Sequence, residues 1–196
     1  SIESNGNGII LTTSTCLLNK NRNSKLTKTE VEETLVRFLG AYKILWLNHG
    51  YLAGDDTDSH IDTLTRFVSE DTIMYVKCND TTDEHYSELK LMEEELQRFT
   101  NIEGKPFNLI PLPMATPQFD GDERLPATYA NFLIINNAVL IPLYNCESDN
   151  EALKIFKGFF KDREVVGIDC SVLIKQHGSL HCVTMQYPEG VKLNYK

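Results

Sequence analysis

The chain has 196 residues, 41% of them hydrophobic and 24% charged, which is enough for one domain with a substantial core. No apolar run is long enough to span a bilayer and no charged-then-apolar signal segment is present, so a membrane is not expected as a partner. A formal net charge of −9 argues against nucleic acid or an anionic membrane surface and is compatible with a cationic substrate.

The chain opens at Ser1-Ile2-Glu3-Ser4 without an initiator methionine and enters Asn5-Gly6-Asn7-Gly8, a hairpin signal followed by an apolar strand over residues 9–13. A hairpin placed there needs partners, so the chain reads as the later part of a longer protein. A helix is expected over residues 29–39, opened by the capping-box pattern Thr27-Lys28-Thr29-Glu30 and ended before Gly40, with a strand over 43–47. The next unit is a strand over 60–68, a turn at Ser69-Glu70-Asp71, a strand over 72–78, a helix over 83–99 and a strand over 107–111. Residues 111–128, with four prolines and Asp120-Gly121-Asp122, read equally as a lid and as a surface connection. A third unit spans a strand over 129–135, a turn at Asn136-Asn137, a strand over 139–143, a helix over 149–160 and a strand over 164–168. A fourth begins with a strand over 181–186.

The recurring order, two strands then a helix then a strand, predicts an α/β protein of stacked or radially arranged units. On the first strand of each unit stand Glu3, then His60 and Asp62, then Asn131, then Cys182. Polar side chains in apolar strands need partners or a function, and convergence on one axis would give all five a single site. Residues two apart on a strand share a face, so His60 and Asp62 could reach one substrate with Ile61 packed behind. Neighbours point apart, which would keep His181 from serving Cys182 and leaves His60 as the base. Glu3 reads equally as a substrate ligand and as a strand-end carboxylate. The segment Asp55-Asp56-Thr57-Asp58 reads first as a turn, with Asp58 a candidate on the substrate side. His49, His85 and His177 read as loop or surface residues, Trp46 as core, and Glu93-Glu94-Glu95 as a solvated helix face. The five cysteines are odd in number and lack Cys-x-x-Cys spacing, which points to a reducing cytoplasm and away from disulfides or structural zinc. No metal or cofactor is expected. A papain-like protease is disfavoured, because there the cysteine precedes the histidine.

At Ser1-Ile2-Glu3, residues 17–23, Gly54-Asp55-Asp56-Thr57-Asp58-Ser59-His60-Ile61-Asp62, Tyr129-Ala130-Asn131-Phe132 and Gly178-Ser179-Leu180-His181-Cys182 the chain resembles the guanidine-modifying superfamily. It is most similar there to agmatine deiminase and the bacterial peptidylarginine deiminases. The resemblance implies the five-fold α/β propeller, or pentein, of which residues 1–196 would supply about three ββαβ units and the start of a fourth. It makes Cys182 the nucleophile, His60 the general acid/base, Asp62 a guanidinium clamp and Asn131 a neighbour of the thiol. A second clamp, an aspartate in a tryptophan-x-arginine-aspartate segment, has no counterpart here and would come from the preceding portion of the same enzyme. The chain also departs from the family at Ser59, where glycine is usual, and at His177-Gly178-Ser179-Leu180, where a glycine-rich run is usual. The expected activity is hydrolysis of agmatine to N-carbamoylputrescine and ammonia. The alternatives are a peptidylarginine deiminase and an inactive fragment or binding remnant. The expected partners are a small cationic guanidinium substrate and the missing portion of the enzyme, with a homodimer left open.

Overall fold

The computed structural model describes residues 1–187 and residue 191. One plan recurs three times. β1 (Ile2–Ser4) folds back onto β2 (Ile9–Thr13), and the single turns α1 (Ser14–Leu17) and α2 (Lys20–Asn23) lead into helix α3 (Lys28–Leu39) and strand β3 (Lys43–Leu47). A helical turn α4 (Ile61–Leu64) begins the second set, followed by β4 (Thr65–Phe67), β5 (Thr72–Lys77), helix α5 (Tyr86–Arg98) and β6 (Asn108–Pro113). A small hairpin of β7 (Gln118–Asp120) and β8 (Glu123–Leu125) separates it from β9 (Leu133–Ile134), β10 (Ala138–Leu143), α6 (Asp149–Phe159) and β11 (Glu164–Asp169). Two 3-10 turns follow, Leu173–Gln176 and His181–Val183.

In each set the middle strand pairs antiparallel with the first and parallel with the third, giving three separate three-stranded sheets. The middle strands are buried along most of their length, as expected of strands covered on both faces. α5 packs on β5 and also on β3, and α6 packs on β11 and also on β6, so each helix fills the space between its own sheet and the preceding one. One core gathers Ile9, Leu47, Ile61, Leu64, Ile73 and Met92; the other is built around Tyr129, Phe132, Tyr144 and Phe156. The short first strands lie innermost, where β1 touches both β4 and α4. The capping box forms as expected: Thr27 and Glu30 bond reciprocally, and Gly40 ends α3 at φ +66°.

The three inner strands that carry the candidate residues are shorter than the apolar pattern predicts. Residues 61–64 form a helical turn rather than strand, with His60 as its N-cap, residues 129–132 form a turn before the two-residue β9, and residues 181–183 form a 3-10 turn. Each departure has a local polar cause; at the third, Thr184 Oγ1 donates to the His181 carbonyl at 2.8 Å. Thr63 Oγ1 donates to the His60 carbonyl at 2.8 Å, and Thr128 Oγ1 accepts from the Ala130 N–H at 3.1 Å while donating to the Thr63 carbonyl at 2.9 Å. These side chains take backbone partners that a ladder would otherwise use. The proline-rich segment likewise contains a hairpin, with Gly121 at φ +60° in its turn.

Two expectations about charge are corrected. His85 is buried, with Nδ1 2.7 Å from Asp83 Oδ1 and Nε2 accepting from the Ala53 N–H at 2.8 Å. Glu93 is also buried rather than solvated: Lys77 Nζ and the Tyr75 hydroxyl both donate to its Oε1 at 2.6 Å, and Lys90 Nζ donates to Oε2 at 2.9 Å. Burial alone would raise the Glu93 carboxyl, but these donors outweigh it and hold the pKa down at about 2. A depressed carboxyl contributes stability above its unfolded pKa, near 4.5, and that stability is lost as pH falls toward 2. Glu93→Gln should therefore lower the melting temperature at pH 7, and the gap from the unaltered protein should narrow as pH falls below about 4.5. Thermal denaturation at several pH values checks this; a gap independent of pH would contradict it.

Candidate active site

The loop before α4 is held by one carboxylate. Asp55 Oδ1 accepts from the Thr57 hydroxyl at 2.5 Å and from its N–H at 3.3 Å, while Oδ2 accepts from the Ser59 N–H at 2.8 Å. Asp58 and Ser59 then take positive φ, 64° and 58°, a conformation that costs a non-glycine residue about 1 kcal/mol or more. Ser59 keeps it nonetheless, with its carbonyl accepting from Thr13 Oγ1 at 2.8 Å. The reversal delivers His60 at the head of α4 and Asp62 one residue into it, with Ile61 wholly buried behind them.

Asn131 is the polar centre of the site and is fully buried. Its amide Nδ2 donates to Asp62 Oδ2 at 3.0 Å, to the Asp62 carbonyl at 3.2 Å and toward Cys182 Sγ at 3.3 Å. Its Oδ1 accepts from the His181 N–H at 2.8 Å and the Cys182 N–H at 3.3 Å. A single amide thus ties together the turns that carry the carboxylate and the thiol.

Cys182 is the exposed cysteine of the five; Cys16, Cys78 and Cys170 are buried and Cys146 is half-buried. It opens into a cleft of about 410 Å³ shared with His60, Asp62, His181, His177, Gln176 and Gly178, and bordered by Asp56 and Thr57. Gly178 stands where a Cβ would come within 2.8 Å of Gln176 Nε2 and 3.1 Å of the Cys182 Cβ, so a larger residue would push on the thiol. A larger groove of about 680 Å³ beside residues 133–137 contains no cysteine, histidine or carboxylate among the described residues.

The charges in this cleft are set by burial and by Asp62. Burial pushes the Cys182 thiol up, and the adjacent Asp62 carboxylate, 3.7 Å from Sγ, pushes it further. Burial pushes His60 down, against the pull of Asp62, whose Oδ1 is 4.0 Å from His60 Nδ1 and beyond hydrogen-bonding range. Asp62 itself would be raised by burial, but the His181 ring at 2.7 Å from Oδ2 holds it well below the usual carboxylate range. The resting groups are therefore a neutral thiol, a neutral His60 imidazole and an ionised Asp62. Two buried polar atoms among them, Asp62 Oδ1 and His60 Nε2, have no hydrogen-bonding partner among the described residues.

Of the six residues singled out in the sequence, His60, Asp62 and Cys182 line the cleft, and Asn131 lies directly beneath it. Glu3 and Asp58 do not line it. Glu3 is paired with Arg66, its Oε2 2.9 Å from Nε, and Asp58 pairs at the surface with Arg22 at 3.5 Å. His181 is the residue that strand alternation excluded. On a 3-10 turn successive side chains are about 120° apart rather than opposed, so His181 and Cys182 reach the same cleft. His177 is also drawn in, since its Nδ1 lies 2.9 Å from the carbonyl of Gly54.

A sequence model of the family described as Porphyromonas-type peptidyl-arginine deiminase matches residues 1–188. A putative agmatine deiminase of Legionella pneumophila (strain Paris) is 34% identical over 189 residues, covering 96% of this chain and 54% of that protein. A solved putative peptidyl-arginine deiminase superposes with a TM-score of 0.95 at 53% identity, covering 97% of this chain and 57% of that one. A C. jejuni agmatine deiminase variant with substrate bound superposes at 0.86 with 44% identity, covering 92% and 53%. The chain thus spans about half the length of the curated relatives it matches.

The site makes a prediction that needs no substrate. Iodoacetamide should label Cys182 before the other four cysteines, with a pH midpoint above the ordinary thiol value of about 8.5. Asp62→Asn should lower that midpoint by removing the repelling carboxylate. Peptide mapping after timed labelling checks both; earlier labelling of a buried cysteine, or a midpoint raised by the substitution, would contradict the geometry.

Proposed function

The chain belongs to the Porphyromonas-type peptidyl-arginine deiminase family, and from that premise we propose that it carries most of an active site for hydrolytic deimination of a guanidinium compound. The observation that carries this reading is the pair of unpartnered buried atoms beside the thiol, Asp62 Oδ1 and His60 Nε2. A carboxylate oxygen that lacks a donor and an imidazole nitrogen free to exchange a proton are what a planar cation facing a nucleophile requires.

The chemistry follows from the resting charges. Asp62 fixes the guanidinium plane and aims its carbon at Sγ. The substrate's positive charge offsets Asp62 and lowers the cost of ionising Cys182, whose proton passes to His60. Sulfur adds to the carbon, the C–N bond breaks, and His60 returns that proton to the departing nitrogen, releasing ammonia and leaving a covalent thiouronium. His60, neutral again, takes a proton from water as the oxygen attacks the same carbon. The C–S bond breaks, His60 reprotonates the thiolate, the new hydroxyl gives its remaining proton to solvent, where the released ammonia takes it up as ammonium, and a ureido product leaves. Asn131 holds the thiol and its backbone N–H in place throughout and donates to sulfur when it is anionic.

For the substrate we favour agmatine, giving N-carbamoylputrescine and ammonia. Among the described residues the cleft is lined by two carboxylates, Asp62 and Asp56, and by no lysine or arginine. Asp56 is exposed and makes no ion pair among the described residues, so it can meet a second cation at the far end of the molecule. The family's name favours a second reading, peptidyl arginine, in which the far end is a neutral backbone. In architecture we assign the three ββαβ sets to a five-fold pentein. The rest of the longer protein would supply the remaining units and a second guanidinium carboxylate, so that residues 1–196 alone would be nearly inactive. Free thiols fit a cytoplasmic setting.

In the full-length protein, ammonia release from agmatine should exceed that from an arginine peptide in kcat/KM; a clear preference for the peptide would replace the first reading by the second. Cys182→Ser should reduce kcat by at least about 10³-fold, the scale of losing an attacking nucleophile. Asp56→Asn should raise KM for agmatine about tenfold, as expected for a charge-assisted contact, and leave kcat within about twofold. Steady-state kinetics checks each.

A further inference from the structure

Behind the cleft a single guanidinium belonging to the protein joins all three units. Arg66 follows α4 on β4 and is 4% exposed. Its Nη1 donates to the Phe132 carbonyl at 2.6 Å, its guanidinium lies 4.9 Å from the centre of the Phe132 ring, and its Nε is 2.9 Å from Glu3 Oε2 on β1. The Glu3 contact is an ion pair rather than an aligned hydrogen bond, since Nε has no partner of good geometry. The Glu3 side chain is 10% exposed, and this near-burial pushes its carboxyl up while Arg66 pulls it back.

A buried pair of this kind is a poor stabiliser, because desolvation consumes most of its attraction and an apolar pair of equal volume serves the core as well. What an apolar pair lacks is a hydrogen bond to the carbonyl next to Asn131. We propose that Arg66, countered by Glu3, is a positioning residue for the nucleophile: it fixes the Phe132 peptide and thereby the Asn131 amide between Asp62 and Cys182. Glu3 then acts from behind the site rather than on the substrate. The kinetic part rests on the deimination reading; the effect on the thiol does not.

The test uses the full-length protein with Glu3→Gln/Arg66→Met, which removes both charges but keeps the bulk, and with Arg66→Lys, which keeps the charge and loses the fork. Three quantities are read: melting temperature, the pH midpoint of Cys182 alkylation by iodoacetamide, and kcat and KM for agmatine. The double variant should melt within a few degrees of the unaltered protein, consistent with the small net stability of such pairs. Its alkylation midpoint should rise by about half a pH unit or more, since the donor to the thiolate is displaced. Its kcat should fall about tenfold or more, with KM changed less than about twofold. Arg66→Lys should move the midpoint and kcat in the same directions to a smaller extent. An unmoved midpoint with kcat intact in the double variant would overturn the proposal, and if that variant does not fold, the same result in Arg66→Lys would overturn it. If the unaltered protein releases no ammonia from any guanidinium compound, the deimination reading fails and the alkylation midpoint still decides the positioning role.

Discussion

The site depends on the buried side chain of Asn131. Its two polar ends reach the Asp62 carboxylate, the Cys182 sulfur and two backbone N–H groups, so that segments about 50 and 69 residues away meet at one amide. An amide buried without partners would cost about 1–3 kcal/mol, so the amide and the turns around it specify one another. Thr128 adds a second tie by joining the same turn to Thr63. The three sheets are separate hydrogen-bonded units, and what registers their inner ends is this set of polar contacts together with the apolar contacts beneath.

The same contacts set the electrostatics. Asp62 remains ionised because His181 and Asn131 face one of its oxygens, and burial of the thiol together with the Asp62 charge keeps Cys182 protonated. The cleft therefore holds an ionised carboxylate beside a protonated thiol. On the reading proposed above, a guanidinium would change both conditions together, by meeting the free Asp62 oxygen and by lowering the cost of a thiolate. Such an arrangement would protect an exposed cysteine from indiscriminate reaction while leaving it ready for one class of substrate.

Much of the fold was legible in the sequence, for identifiable reasons. α3, α5, α6 and the middle strands are long, strongly periodic or capped, and they lie where apolar spacing places them. The short inner elements read as strands in the sequence, because Thr63 and Thr128 divert backbone partners and because a short apolar run fits a buried turn as well as a strand. That error carried into the site. Period-two alternation set His181 opposite Cys182, whereas the 3-10 turn brings both to the cleft. Repeat position did bring out Asn131, although not its role as the junction of the other groups. Glu3 could not be placed from sequence alone, since its partner Arg66 lies 63 residues away on another unit. The unusual Ser59 proved compatible with the loop because Asp55 and Thr13 hold its backbone in the left-handed conformation.

The central claim is that Cys182 becomes covalently bound to the guanidinium carbon with loss of ammonia. The most direct measurement is acid quenching of the full-length protein during turnover of agmatine, followed by peptide mass spectrometry. The predicted result is an adduct on the Cys182 peptide with the mass of agmatine less ammonia, which disappears once substrate is exhausted. Ammonia released at the full rate with Cys182 never modified under these conditions, or with Cys182→Ser in place, would contradict it.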